Sequence, residues 1–119
     1  PYGGYRDDED QGQMGALGVL MAIGIFQTDG GCAMKPYYEI TSPIFDKISI
    51  RLNNDYYPGE RFEIITRNNS DRNMYIQKAF LNGQKWDKCI FPHEEFAKGG
   101  TLILDMGPKP NKKWGSDTF

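Results

Sequence analysis

The longest apolar run in the chain is Met14 to Phe26, thirteen residues without a charged or polar side chain. Four acidic residues, Asp7, Asp8, Glu9 and Asp10, stand just before it. Acid followed by apolar residues predicts a buried helix with carboxylates near its N-terminus, where the helix dipole favours negative charge. Glycine falls at 12, 15, 18 and 24, and each glycine costs a helix interior about 1 kcal/mol relative to alanine. Such a helix needs packing to hold it. Gly12, Gly15 and Gly18 form a smooth strip that another backbone can approach, with Leu17, Val19, Leu20, Met21 and Ile23 covering the other faces. A helix apolar all round belongs inside a large protein, so its expected partners are helices upstream of Pro1.

After the helix the period changes from helical to alternating. Gln27 to Pro36 reads as a loop, with Asp29-Gly30-Gly31 as a turn signal. Strands are expected at Tyr37–Thr41, Ile44–Leu52, Arg61–Arg67, Met74–Leu81 and Thr101–Met106. Ile48, Ile50 and Leu52 alternate with Lys47, Ser49 and Arg51, the mark of a half-buried strand. Asn82-Gly83 predicts a tight hairpin returning through Gln84, Lys85 and Trp86. Ile90-Phe91-Pro92 leads into a short helical turn at His93–Lys98, and Gly107 to Phe119 reads as an extended surface segment. Ile48, Ile50, Leu52, Phe62, Ile64, Ile76, Phe80, Leu102 and Leu104 are expected to form one buried face. The fold class is therefore α+β: one buried helix, then a mainly antiparallel β module of about six strands, a small sheet or sandwich.

Composition adds limits. Lys plus Arg is 14 and Asp plus Glu is 16, a formal net charge of -2. That balance gives no sign of a nucleic-acid or membrane-surface partner. The apolar run is shorter than the roughly 20 residues that span a bilayer. The opening PYGGYRDD has no basic n-region and no initiating Met, so the chain reads as cut from something longer. Cys32 and Cys89 have no metal spacing and fit either free thiols or a single bridge.

The candidate chemistry sits in the acid cluster. Four carboxylates are more than one helix cap uses. Asp8 and Asp10 lie two apart, a spacing that in a tight turn directs both into one pocket. Paired carboxylates there suit general-base work or oxygen ligation of a hard cation. The EF-hand pattern fails: counted from Asp7, Gly12 falls at the sixth position, but the twelfth is Gly18 rather than Glu. His93, the single histidine, precedes Glu94 and Glu95 and is expected to pack or cap. Trp86, Tyr56 and Tyr57 are candidates for stacking on sugars, though aromatics in sheets usually serve the core. No Ser/His/Asp set, phosphate loop or dinucleotide fingerprint is present.

Several ordered blocks together resemble the C-terminal end of glycoside hydrolase family 92, the calcium-dependent exo-acting α-mannosidases. Asp8-Glu9-Asp10 followed by Gly12-Gln13-Met14 is similar to that family's acidic turn and last barrel helix. Ser42-Pro43-Ile44-Phe45-Asp46-Lys47 resembles its SPLFDK motif. Asn68-Asn69-Ser70-Asp71, Tyr75-Ile76-Gln77 and Leu81-Asn82-Gly83 match a second block. His93-Glu94, Gly99-Gly100-Thr101-Leu102 and Met106-Gly107-Pro108-Lys109-Pro110-Asn111 match a third. Asp7 stands where family members often carry Gly, Gly15 where many carry Ser or Thr, and Gly24-Ile25-Phe26-Gln27 replaces a Gly-Phe-Tyr-Pro ending.

The resemblance implies that residues 1–27 end an (α/α)6 catalytic barrel and residues 28–119 form a C-terminal β module. It implies a role for Asp8 and Asp10 in supplying or supporting the general base of an inverting mannosidase, with Asp10 also contributing to a calcium site. The implied partners are a mannose-containing glycan, with α-1,2 linkages of N-glycan or mannan expected, and the upstream barrel and N-terminal domain of the same protein. The general acid is expected outside this chain, which alone is expected to be inactive. The other reading is a non-catalytic β-sandwich that binds carbohydrate or protein. The two differ in the helix: a barrel helix is left unpacked or packs on a neighbouring copy, whereas an autonomous module tucks it into its own core.

Overall fold

The computed structural model describes residues 13–28 and 32–116. It begins with helix α1, Gln13–Ile23, followed by a two-residue strand β1, Ile25–Phe26. The helix is shorter than the apolar run because Gly24 ends it. Gly24 adopts φ 86°, and its N–H donates to the Leu20 carbonyl at 3.0 Å. This is the left-handed closure that glycine permits without a Cβ penalty. Ile25 and Phe26, expected as the last helical turn, instead pair antiparallel with strand β2, Tyr37–Ile40.

The remaining elements are β3 at Lys47–Arg51, β4 at Arg61–Arg67, β5 at Tyr75–Leu81, β6 at Gln84–Lys85, β7 at Ile90–Pro92, helix α2 at His93–Ala97 and β8 at Gly100–Gly107. They form two sheets rather than one. A three-stranded sheet has the order β1-β2-β7, and a five-stranded sheet the order β3-β4-β8-β5-β6. Most pairings are antiparallel, as expected from short strands joined by tight turns. The exception is β4 with β8, which run parallel from Phe62 opposite Gly100 to Arg67 opposite Asp105. Strand β8 thereby enters between β4 and β5, which are consecutive in the larger sheet's chain order but not hydrogen-bonded neighbours.

The Asn82-Gly83 hairpin forms as expected, with φ 51° and 81° at its two turn residues. The Asn82 side chain accepts a hydrogen bond from the Thr101 N–H at 2.9 Å, which ties the hairpin to the start of β8.

Eight of the nine residues expected on the buried face are buried or half-buried on it; Phe80 is not among them. The ladder between β5 and β8 shifts register between Ile76 and Lys78. One extra residue reverses the side-chain parity beyond it. Ile76 faces the core, and after the shift so do Ala79 and Leu81, which leaves Phe80 turned to the other face. The core joins the two sheets and α2. Phe62 of β4 and Phe91 of β7 are both fully buried and lie stacked, centroids 5.7 Å apart at 6°. Phe96 of α2 packs on Phe62 at 5.0 Å.

Among the described side chains of helix α1, few enter this core. Leu20 and Ile23 touch it, whereas Val19 is 62% exposed and Met21 56%. A Cβ added at Gly18 would meet nothing within 4 Å. Ile44 and Phe45, exposed beside the helix, extend the apolar surface, and the Ile44 N–H donates to the Ala22 carbonyl. No helix among the described residues is long and apolar enough to cross a membrane.

Candidate functional site

Asp8 and Asp10, the catalytic candidates, and Asp10 as a metal ligand lie outside the described residues. The described helix starts at Gln13 and carries no acidic residue in its first turn. Among the described residues, no group of three or more His, Cys, Asp or Glu side chains could hold a metal ion.

The second candidate, His93, sits in an aromatic cluster. Its Nδ1 lies 2.9 Å from the Tyr38 hydroxyl, which donates when the ring proton is on Nε2. The rings of Tyr38, Phe96 and Tyr57 surround it at 5.6, 5.9 and 6.0 Å. Burial, and then the neighbouring Tyr57, push the Tyr38 phenol above its ordinary pKa. The His93 N–H donates to the Pro36 carbonyl at 2.9 Å. His93 thus packs and links β2 to α2, as expected; its side chain caps nothing, since Pro92 precedes the helix without a side-chain bond. Beside it lies a mostly apolar groove of about 510 Å³, lined by Pro36, Tyr37, Ile90, Pro92 and the flanking Lys35 and Glu94.

The sugar-stacking candidates divide. Tyr56 stands on the β3–β4 loop, 81% exposed, while Tyr57 packs against the core. Trp86 is half-buried, and its indole N–H donates to the Ile90 carbonyl at 2.9 Å. Sequence reasoning passed over another tryptophan. Trp114, in the segment after β8, donates its indole N–H to the Trp86 carbonyl at 3.0 Å. The same segment is held by Asn111, whose amide donates to the Gln77 carbonyl at 2.9 Å, and by Gly115, whose N–H donates to the Asp87 carbonyl. A groove of about 310 Å³, lined by Gln77, Lys78, Lys85, Asp87, Asn111, Lys113 and Trp114, runs between this segment and the β5–β6 hairpin. The signal for it was Lys112-Lys113-Trp114, three adjacent residues that combine charge with a large aromatic. Cys32 and Cys89 are both free and exposed, so the single bridge does not form.

A family model described as the glycosyl hydrolase family 92 catalytic domain matches residues 1–108. The chain belongs to glycosyl hydrolase family 92. It is 34% identical over 117 residues to an uncharacterized secreted glycosidase of Arthroderma benhamiae, covering 95% of this chain and 14% of that protein. It is similar to a solved family 92 inverting mannosidase from Bacteroides thetaiotaomicron, with 36% identity, a TM-score of 0.78, and coverage of 96% of this chain and 14% of the other. A second solved family 92 glycosyl hydrolase superposes with a TM-score of 0.81 at 28% identity, over 94% of this chain and 14% of its own. The chain thus spans about one-seventh of the length of the relatives it matches.

The span matched to family 92 runs through Asp8, Asp10 and His93 and stops at Pro108. Asn111, Lys113 and Trp114, one wall of that groove, lie beyond it. The neighbours also account for the mixed architecture. An α+β unit with few helices and mainly antiparallel sheets is what these family 92 structures share with this chain.

Proposed function

We propose that this chain is part of a calcium-dependent inverting exo-α-mannosidase in which Asp8 and Asp10 supply or support the general base. The observation that carries this reading is the family 92 match over residues 1–108, which includes both aspartates, together with 36% identity to an inverting mannosidase. The substrate is an α-mannosidic linkage, α-1,2 in N-glycan or mannan, and residues 28–119 serve as the β module beside a barrel that ends in residues 1–27.

Inversion requires a carboxylate that takes a proton from water on one face of the sugar while a separate acid protonates the leaving oxygen. The two stand roughly 6.5–9.5 Å apart to admit that water. An aspartate pair two residues apart suits the water-activating role, since one carboxylate accepts the proton and the other orients it or the water. No residue of this chain is given the general-acid role, which falls to another part of a longer protein. Aspartate oxygens also suit calcium, a hard cation that takes carboxylate ligands, and Asp10 is the residue proposed to contribute to its site. Bound there, calcium would hold the sugar's hydroxyls and favour ring distortion.

The exposed side of α1 fits this reading. Val19 and Met21, left open in this chain, are proposed to pack against the upstream helices of the barrel. The test is the anomer released first by a protein that carries this chain within a complete catalytic domain. Proton NMR of fresh hydrolysate of an α-mannoside should show β-mannose before mutarotation. The α-anomer appearing first, or no mannose release with calcium present, would overturn the proposal.

A further inference from the structure

The groove between the β5–β6 hairpin and the segment after β8 draws lysines from three separate segments: Lys78 of β5, Lys85 of β6 and Lys113 of the segment after β8. Its volume of about 310 Å³ is at the lower end of the roughly 300–1,000 Å³ usual for ligand sites. Lys85 is paired with Asp87 at 3.3 Å. Lys78 and Lys113 have no ion-pair partner among the described residues, although the whole chain carries a net charge of -2. Two ammonium groups without an ion-pair partner among the described residues, gathered on one groove of an acidic chain, are an anion-attracting arrangement.

The other walls are built for more than charge. Trp114 is fixed by its bond to the Trp86 carbonyl, so its indole offers a rigid apolar surface. Gln77 and Asn111 are held to the backbone, Gln77 by donating to the Lys109 carbonyl and Asn111 by donating to the Gln77 carbonyl. Fixed amides beside a fixed aromatic and the ammonium groups of Lys78 and Lys113 match the parts of a charged sugar: ring face, hydroxyls and anion.

We infer that this groove is a binding subsite for an anionic saccharide, one bearing a carboxylate or a sulfate. Lys78 and Lys113 meet the anion, Trp114 meets the less polar ring face, and the amides of Gln77 and Asn111 meet hydroxyls. The saccharide part rests on the glycosidase reading above; the anion part rests on the lysines.

The test is an NMR titration of the chain, following the Trp114 indole N–H. The probes are a glucuronate-containing disaccharide, a sulfated disaccharide, the neutral disaccharide and sodium sulfate. Saturable shifts are expected with one or both anionic sugars, and which of them binds identifies the anion. Lys78→Gln and Lys113→Gln should each weaken binding about three- to five-fold, and the double variant about ten-fold or more. Lys47→Gln, at a remote pair with Glu63, should change nothing, and circular dichroism should show all variants folded. Equal binding of the neutral sugar, equal binding of sulfate alone, indifference to the lysine variants, or no binding at all would each overturn the inference. The readout is binding, so a failure of mannosidase activity elsewhere leaves this result standing, and the reverse holds too.

Discussion

Gly18 lies in the middle of α1 with open space where a Cβ would be. Alanine there removes the conformational freedom that glycine loses on folding, worth about 1 kcal/mol in a helix interior. Gly18→Ala should therefore stabilise the chain by about 1 kcal/mol, a rise of roughly 3–6 °C in Tm for a domain of this size. In a longer protein whose barrel helices pack on the strip of Gly12, Gly15 and Gly18, the same methyl meets a neighbouring backbone. Overpacking costs about 1–3 kcal/mol, enough to cancel or reverse the gain. Gly24→Ala is the reference, because its cause is local. At φ 86° a Cβ would sit 2.8 Å from the Thr41 carbonyl oxygen and 3.0 Å from Pro43. The left-handed conformation alone costs about 1–2 kcal/mol, so this variant should lose stability in either setting. Thermal unfolding followed by circular dichroism measures all four cases. Gly18→Ala that destabilises the chain, or stabilises the longer protein by the same amount, would refute the proposal that α1 packs on barrel helices.

Phe91→Ala removes a fully buried ring stacked on Phe62 and should cost about 3–5 kcal/mol, read as a lower urea midpoint, whereas Phe91→Leu should recover most of it. Raising the pH past about 10, the ordinary tyrosine value, should destabilise the chain. The folded state holds the Tyr38 proton above that point and the unfolded state does not, so the contribution is full below the unfolded value and is lost as pH rises through the raised one. Tyr38→Phe should flatten that alkaline loss in pH-dependent urea melts. Asn82→Ala strains a left-handed turn and leaves the Thr101 N–H without its partner, which should lower stability by about 1–2 kcal/mol.

Local rules carried most of the β module. Alternation found β4 and β8, and Asn82-Gly83 fixed the hairpin, because both signals act within a few residues. Three features escaped them. The β5 register shift turned Phe80 outward, and nothing in Tyr75–Leu81 marks where one extra residue enters a ladder. The parallel pairing of β4 and β8 joins segments separated by a hairpin, a strand and a helix, so no turn chemistry announces it. Ile25 and Phe26 continue an apolar run, and only the closure at Gly24, backed by the β2 strand waiting beside it, moves them from helix to sheet. Spacing and the family resemblance singled out Asp8 and Asp10, which lie outside the described residues, and His93 was rightly read as packing. Trp114 was missed because its partners, the Trp86 carbonyl and the β5–β6 hairpin, are distant in sequence.

The aspartates carry the central claim, and one kinetic comparison tests it. Asp8→Asn, Asp10→Asn and Asp7→Asn each remove one negative charge and keep the side chain's size, in a protein containing the complete family 92 catalytic domain. If Asp8 and Asp10 activate water, kcat for an α-mannoside should fall about 10²–10⁴-fold for each, while Asp7→Asn stays near wild type. Excess calcium should partly restore Asp10→Asn and leave Asp8→Asn unchanged. If the cluster only complements a helix dipole, all three should behave alike, with stability losses of about 0.3–1 kcal/mol and kcat intact. Near wild-type kcat in both Asp8→Asn and Asp10→Asn would contradict the account.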